Sequence, residues 1–374
     1  MNQGIETTYL TPPLEVVAGR GNRSSLPLYF PNLYQFTSGN LNVYVDGVNG
    51  DDTLGDGSSS DPFKTINKGL IEHSGYSTSG IKYLHLADAD YTESDIMPSC
   101  MIGNLQILGN ATTPANVKWK PTSTTSPLLT SANPQVNLLV DGVQFQDVTA
   151  GYGLMLERTK LTIGYCKWFN NFVGFYSDLY SNVFFDRSYT SSTFDGNNID
   201  NGDAFINSRG SEVRNGQSLN ISKVYNGILN NVRSTMNFLS SSTTTITQSS
   251  TLTTKLCGII NRSNSFLRIG GTLNLNGSVI DTVNAGIECQ NSEVSIVNGA
   301  TLNFSNFFNG WNIKGYNYIE DISATYAYTN CTTNVHADQA SELPASGLNP
   351  SGGAGVDWFD SGVLYGFDAR YVKL

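Results

Sequence analysis

The sequence predicts an all-β fold, a right-handed parallel β-helix, and three observations carry that reading. A small residue followed by an apolar one returns at Gly153-Leu154, Gly174-Phe175, Ala204-Phe205, Gly227-Ile228, Gly258-Ile259, Gly286-Ile287 and Gly310-Trp311. The intervals of 21, 30, 23, 31, 28 and 24 residues fall in the range where one unit stacks on copies of itself. Two of the units also align directly. GIINRSNSFLRIGGTLNLNGSV from Gly258 and GIECQNSEVSIVNGATLNFSNF from Gly286 share GI, NS, an alternating run and TLN. Finally, apolar and polar residues alternate within each unit (Phe266, Ile269, Leu273, Leu275; Val294, Ile296, Leu302, Phe304) and Gly or Asn closes each run, as in short half-buried strands joined by bends. A unit of two or three strands with no helical period cannot cover its own apolar face, so it must stack on its neighbours.

In chain order, residues 1–41 carry Pro12, Pro13, Pro27 and Pro31 among scattered aromatics. That stretch reads as an arm that docks on another protein. Residues 42–80 form the entry to the column: a strand, an acidic glycine loop (DGVNGDDTLGDG), and after Pro62 a short amphipathic helix with Ile66, Leu70 and Ile71 on one side. Such a helix covers the strand edges that a solenoid end would otherwise leave open. The coils occupy 81–319. The earlier ones are IKYLHLADADYTES, NLQILGNATT, VNLLVDGVQFQDV and TKLTIGYCKWF. With the seven later anchors they make about ten turns, a column roughly 45 to 50 Å long at ~4.8 Å per strand. After Ile313 the pattern breaks, and 320–374 reads as a Pro/Gly/Ser linker followed by an apolar segment (Val363, Leu364, Tyr365, Phe367, Tyr371, Val372, Leu374) suited to contact between chains.

YVDGVNGDD, then DPFKTINKGL, then the coils, resembles the start of the pectin-lyase-like β-helix domains of bacteriophage tailspikes, over roughly residues 42–313. The resemblance implies a homotrimeric virion tail appendage, assembled in the host cytoplasm, that docks on phage tail or adaptor proteins through residues 1–41. It also implies binding, and often cleavage, of host surface polysaccharide. It carries no catalytic residue with it. Three function classes follow: a glycan-binding appendage, a tailspike depolymerase, and a structural tail component.

Composition agrees with a carbohydrate partner. Only 14% of residues are charged, the net charge is −10, and hydroxyl and amide side chains abound. A nucleic-acid partner calls for a basic stripe, and on net charge a strongly anionic glycan would be weakly repelled. The five cysteines are odd in number, widely spaced and never in a CxxC pair, so they read as buried free thiols rather than a zinc site or disulfide framework. No basic segment precedes an apolar run at the N-terminus, and no stretch is apolar enough to span a membrane, so neither a signal peptide nor membrane insertion is expected. No cofactor motif or metal-spaced His cluster is present, so neither cofactor nor metal is expected.

Only carboxylates remain for chemistry, and glycan hydrolysis needs two of them. Glu157 and Asp178 each lie four residues after their anchors, Gly153 and Gly174, so stacking places them on one face of adjacent coils, ~5 Å apart at the backbone. Two carboxylates that close would part in pKa as an acid/base pair must, although neighbouring carboxylates also occur on solvated faces. Asp186 and Arg187, in FFDRSY, extend the same patch on this reading. The aromatics between Tyr165 and Tyr189 divide between core and platforms for sugar rings, with Trp168, Tyr176, Tyr180 and Tyr189 as the platform candidates. The loops DGNNIDNGD and DGVNGDDTLGDG are oxygen-rich enough for calcium but lack the spacing of a calcium loop, and turn chemistry explains them.

Overall fold

A computed structural model of the chain describes residues 35–186, 188–189, 191–200, 202–249, 257–277, 284–321, 324–337 and 356–358. Three parallel sheets of 11, 10 and 11 strands wrap into a right-handed β-helix of about 9 turns. Sheet I runs from Leu41–Val45 to Tyr318–Asp321, sheet II from Ala89–Thr92 to Thr325–Thr329, and sheet III from Asp95–Ile96 to Val356–Trp358. Each coil passes through I, II and III in turn. At ~4.8 Å per coil the column is ~43 Å long.

The recurring pairs are the spine of sheet III. Leu154, Phe175, Phe205, Ile228, Ile259, Ile287, Trp311 and Val335 stand in register on successive strands, all buried. The small residue before each lets the next coil approach: a Cβ on Gly174 would lie 2.4 Å from the Ala204 carbonyl oxygen and 2.6 Å from the Phe194 ring. Sheet II contributes a second inward column, Phe145, Trp168, Phe194, Ile221, Ile246, Leu275 and Phe304. Trp168 stacks on Phe194 with centroids 4.2 Å apart and planes 5° apart. Burying side chains of this size contributes about 1.5–3 kcal/mol each.

The cap helix α1 (Ile66–Ser74) closes the first coil. Thr65 is its N-cap, its hydroxyl accepting from Lys68 N–H. Ile66 and Leu70 are buried, whereas Ile71, expected on the same side, is 51% exposed, and Gly69 and His73 complete the inner face. The acidic loop behaves as turn chemistry requires. Asp46, Asp51 and Asp56 accept backbone N–H groups two or three residues on, and Asp52 accepts from Lys64 N–H, Thr65 N–H and the Thr65 hydroxyl.

Two boundaries differ from the sequence reading. Leu41–Val45 already pairs in parallel with Ile81–Leu86, so the column begins before residue 81. It also runs past 319, through Thr325–Thr329, Thr333–Ala337 and Val356–Trp358. Ile319, Tyr326 and Val335 keep the core filled there, but no small-apolar pair announces the last coil because Asn334 precedes Val335. Of the cysteines, Cys166, Cys257 and Cys289 are buried thiols, while Cys100 is exposed and Cys331 half-buried. Most of the N-terminal arm, the linker between 338 and 355 and the apolar segment from Val363 to Leu374 lie outside the described residues. None of the described helices is long and apolar enough to cross a membrane.

Candidate functional site

The corner where each coil turns from sheet III into sheet I is built from polar residues stacked up the column. Asn207, Asn230 and Asn261 point inward at the same position of consecutive coils. Asn207 Nδ2 donates to Asn230 Oδ1 at 2.9 Å, and Asn230 Nδ2 to Asn261 Oδ1 at 2.8 Å. Each amide also donates to carbonyls of the following turns, such as Thr235 and Phe266. Hydroxyls repeat beside them: the Ser181, Ser211 and Ser265 side chains accept from the backbone N–H of Thr159, Ser181 and Ser234. Buried polar groups cost free energy unless satisfied, and this ladder satisfies the tight turn within each coil and between coils, with Asn207 Oδ1 at its end left unpartnered.

On this footing stands the candidate site. Glu157 and Asp178 are register partners on adjacent sheet III strands, as their offset from the anchors requires. Their environments differ. Glu157 is half-buried and, among the described residues, its carboxylate has no hydrogen-bond or ion-pair partner. Asp178 is fully buried beneath Arg209, whose Nε and Nη2 donate to its two carboxylate oxygens. A bidentate pair of this kind is strong and orients the guanidinium. Tyr176, one outward position earlier, stacks on Tyr152 with centroids 4.9 Å apart, and burial together with the Asp178 carboxylate pushes its hydroxyl pKa up. Tyr180 is 74% exposed at φ +66°, and its ring lies over Gly210, where a Cβ would come within 2.6 Å of it.

The other sequence candidates fall elsewhere. Trp168 is 2% exposed in the core column, so it cannot serve as a sugar platform; its alternation points it inward while Lys167 and Phe169 face out. Asp186 does not extend the Glu157–Asp178 patch. The strand Asn182–Phe185 separates them, ~13 Å at ~3.3 Å per residue, and puts Asp186 at the turn between sheets I and II. There its carboxylate accepts from Ser188 N–H. Tyr189 is half-buried at that same turn, its hydroxyl pKa raised by burial and by the carboxylates of Asp141 and Asp186. Arg187 lies outside the described residues.

Three features escaped the sequence reading. Tyr152 and Arg209 belong to the site; the offset that finds Asp178 lands on Ser208 when counted from Ala204, and Arg209 is the next residue, in the turn. The third is a pair of carboxylates under the cap. Glu93 accepts from Ile66 N–H and Asn67 N–H at the start of α1, each at 2.9 Å. Asp95 hydrogen-bonds Glu93 and is buried, and burial plus the Glu93 charge pushes its pKa up to about 8. The two share a proton, with the charge kept on Glu93 at the helix N-terminus. That pair holds the cap in place and is spent on it. Among the described residues no group of three or more His, Cys, Asp or Glu side chains is arranged to hold a metal ion.

Comparison of the chain with family models, with curated proteins and with solved structures returns no match.

Proposed function

We propose that this chain is a bacteriophage tail appendage that binds host cell-surface polysaccharide during adsorption. The observation that carries the reading is the corner between sheets III and I. There Tyr180 and Tyr176, the latter stacked on Tyr152 from further back along sheet III, offer rings beside the free Glu157 carboxylate and the Asp178–Arg209 pair. Rings for stacking beside a few oriented polar groups are what a sugar chain needs from a shallow protein surface. Binding is favoured over cleavage because Asp178 is engaged by Arg209 on both oxygens, leaving Glu157 without a second carboxylate free to share its task. The resemblance of residues 42–313 to tailspike β-helix domains supports the same reading, including a homotrimer joined partly through 356–374 and attachment to the tail through 1–41.

Purified full-length protein should retain one or more members of a panel of bacterial capsules and lipopolysaccharides without releasing oligosaccharides. Release of oligosaccharide would establish the depolymerase instead, and failure to bind any member or any host cell would leave a structural tail component. Deleting residues 1–36 should leave the column folded and remove the protein from virions, a result overturned by normal occupancy of the truncated chain. Light scattering should find a trimer that dissociates when 356–374 are removed.

A further inference from the structure

Seven of the ten arginines fall between residues 158 and 268; Arg187 lies outside the described residues, and the other six are Arg158, Arg209, Arg214, Arg233, Arg262 and Arg268. The fold gathers all six on one edge of the column. Arg158, Arg209 and Arg233 occupy left-handed positions in the turns from sheet III to sheet I, at φ +49°, +45° and +58°. The turns stack, with Tyr180 N–H donating to the Arg209 carbonyl, Gly210 N–H to that of Val232 and Arg233 N–H to that of Ser263. Arg262 ends the sheet III strand Cys257–Arg262 and so borders the same turn. Arg214 and Arg268 point outward from sheet I at one register position, two coils apart with Asn237 between them. The coil spacing puts them ~9.6 Å apart at the backbone.

Carboxylates do not neutralise this edge. Asp178 holds Arg209, and Glu212 holds Arg214 through two hydrogen bonds of 2.7 and 2.9 Å. Arg158, Arg233 and Arg268 are exposed and, among the described residues, have no ion-pair or hydrogen-bond partner for their guanidinium groups. Lys160 adds a further exposed cation beside Arg158, against the single free carboxylate of Glu157. The stretch ends where acid returns, at the Glu288–Lys314 ion pair and exposed Glu293. Like charges on neighbouring strands repel, so gathering cations here in a chain of net charge −10 works against stability. Beside the edge lies a depression of about 310 Å³ lined by Asn182, Val183, Phe184, Glu212 and Arg214.

We infer that this edge is an anion-reading surface and that the polysaccharide it takes is acidic, a uronate-bearing glycan whose carboxylates are met by Arg158, Arg233 and Arg268. The inference rests on the glycan-binding reading and narrows it. Guanidinium matches a carboxylate through two parallel hydrogen bonds, and the paired arginines arrive already oriented by Asp178 and Glu212. Glu157, whose carboxylate has no partner among the described residues, accepts from sugar hydroxyls, and the rings of Tyr176 and Tyr180 beside it suit a sugar chain. Net charge alone points the other way, because it averages this edge with the acidic loops of the cap.

The test uses full-length protein, polygalacturonate, its carboxyl-reduced form and a single-stranded oligonucleotide, alongside the polysaccharide panel. Polygalacturonate should bind and weaken with added salt, and reduction of its carboxylates should weaken it roughly tenfold or more. Arg233→Gln with Arg268→Gln should reproduce that loss without lowering the melting temperature, since both side chains are exposed, and should leave binding of neutral panel members unchanged. Binding that is indifferent to carboxyl reduction or to the double substitution overturns the inference. So does tighter binding of the oligonucleotide. A protein that retains neutral polysaccharides but not polygalacturonate or any acidic panel member sinks this inference alone, and one that retains none sinks the glycan reading with it.

Discussion

Two stretches of the column bury polar groups, and they do so in opposite ways. Midway along, the ladder Asn207–Asn230–Asn261 buries neutral amides that pass hydrogen bonds from coil to coil. Under the cap, half-buried Glu93 and buried Asp95 pair two acids, one ionised against the N-terminus of α1 and the other protonated, with Asp95 Oδ2 left unpartnered. An amide ladder is indifferent to pH, whereas a shared proton ties the capped end of the column to it.

Removing one rung should have the largest effect. Asn230→Ala loses donations to Asn261 Oδ1 and to the carbonyls of Ser234 and Phe266, and leaves buried acceptors without a partner. The expected cost is roughly 3 kcal/mol, the same at acidic and alkaline pH. A denaturant midpoint that recovers at either extreme would mean that the ladder is coupled to a titrating group after all.

The cap should behave differently. Burial and the Glu93 charge push Asp95 up to about 8 in the folded chain, against the ordinary 3.8 of an aspartate, so between these limits the folded state holds the extra proton. Its contribution is therefore complete below about pH 4, declines as pH rises and is gone above about pH 8. Asp95→Asn should flatten that slope, and hydrogen exchange of α1 amides is the local readout. If exchange in α1 slows on raising the pH from 5 to 8, once corrected for its intrinsic pH dependence, the shared proton is not what holds the cap.

The smallest effect tests where the ladder stops. Cys289 follows Asn261 in register and is buried. Cys289→Asn places a carbonyl where Asn261 could donate and should stabilise by about 1 kcal/mol. Destabilisation would show that the corner narrows at this coil.

Much of the column was legible because its signal repeats. The seven small-apolar pairs mark inward positions of sheet III, and the short interval from Gly153 to Gly174 set Glu157 opposite Asp178 correctly. The ladder was also written in the sequence, as Asn two residues after the apolar anchor in Phe205–Asn207, Ile228–Asn230 and Ile259–Asn261. What could not be read was facing. Alternation says that neighbours point oppositely but not which points in, so Trp168 could pass for a platform. The pairing of Asp178 with Arg209 was obscured by a 31-residue separation that only the register closes. The burial of Asp95 depends on a helix that packs from the far side of the entry loop.

The hydrogen bonds that join coil to coil run along the length of the column, as do the asparagine rungs. Tension applied between the ends therefore meets them one row at a time rather than all together, and the molecule should unravel by peeling. Each released coil of 21 to 31 residues would add ~70 to 105 Å of slack. A load applied across the column would instead have to slide whole strands past one another, so the same fold yields in one direction and resists in the other.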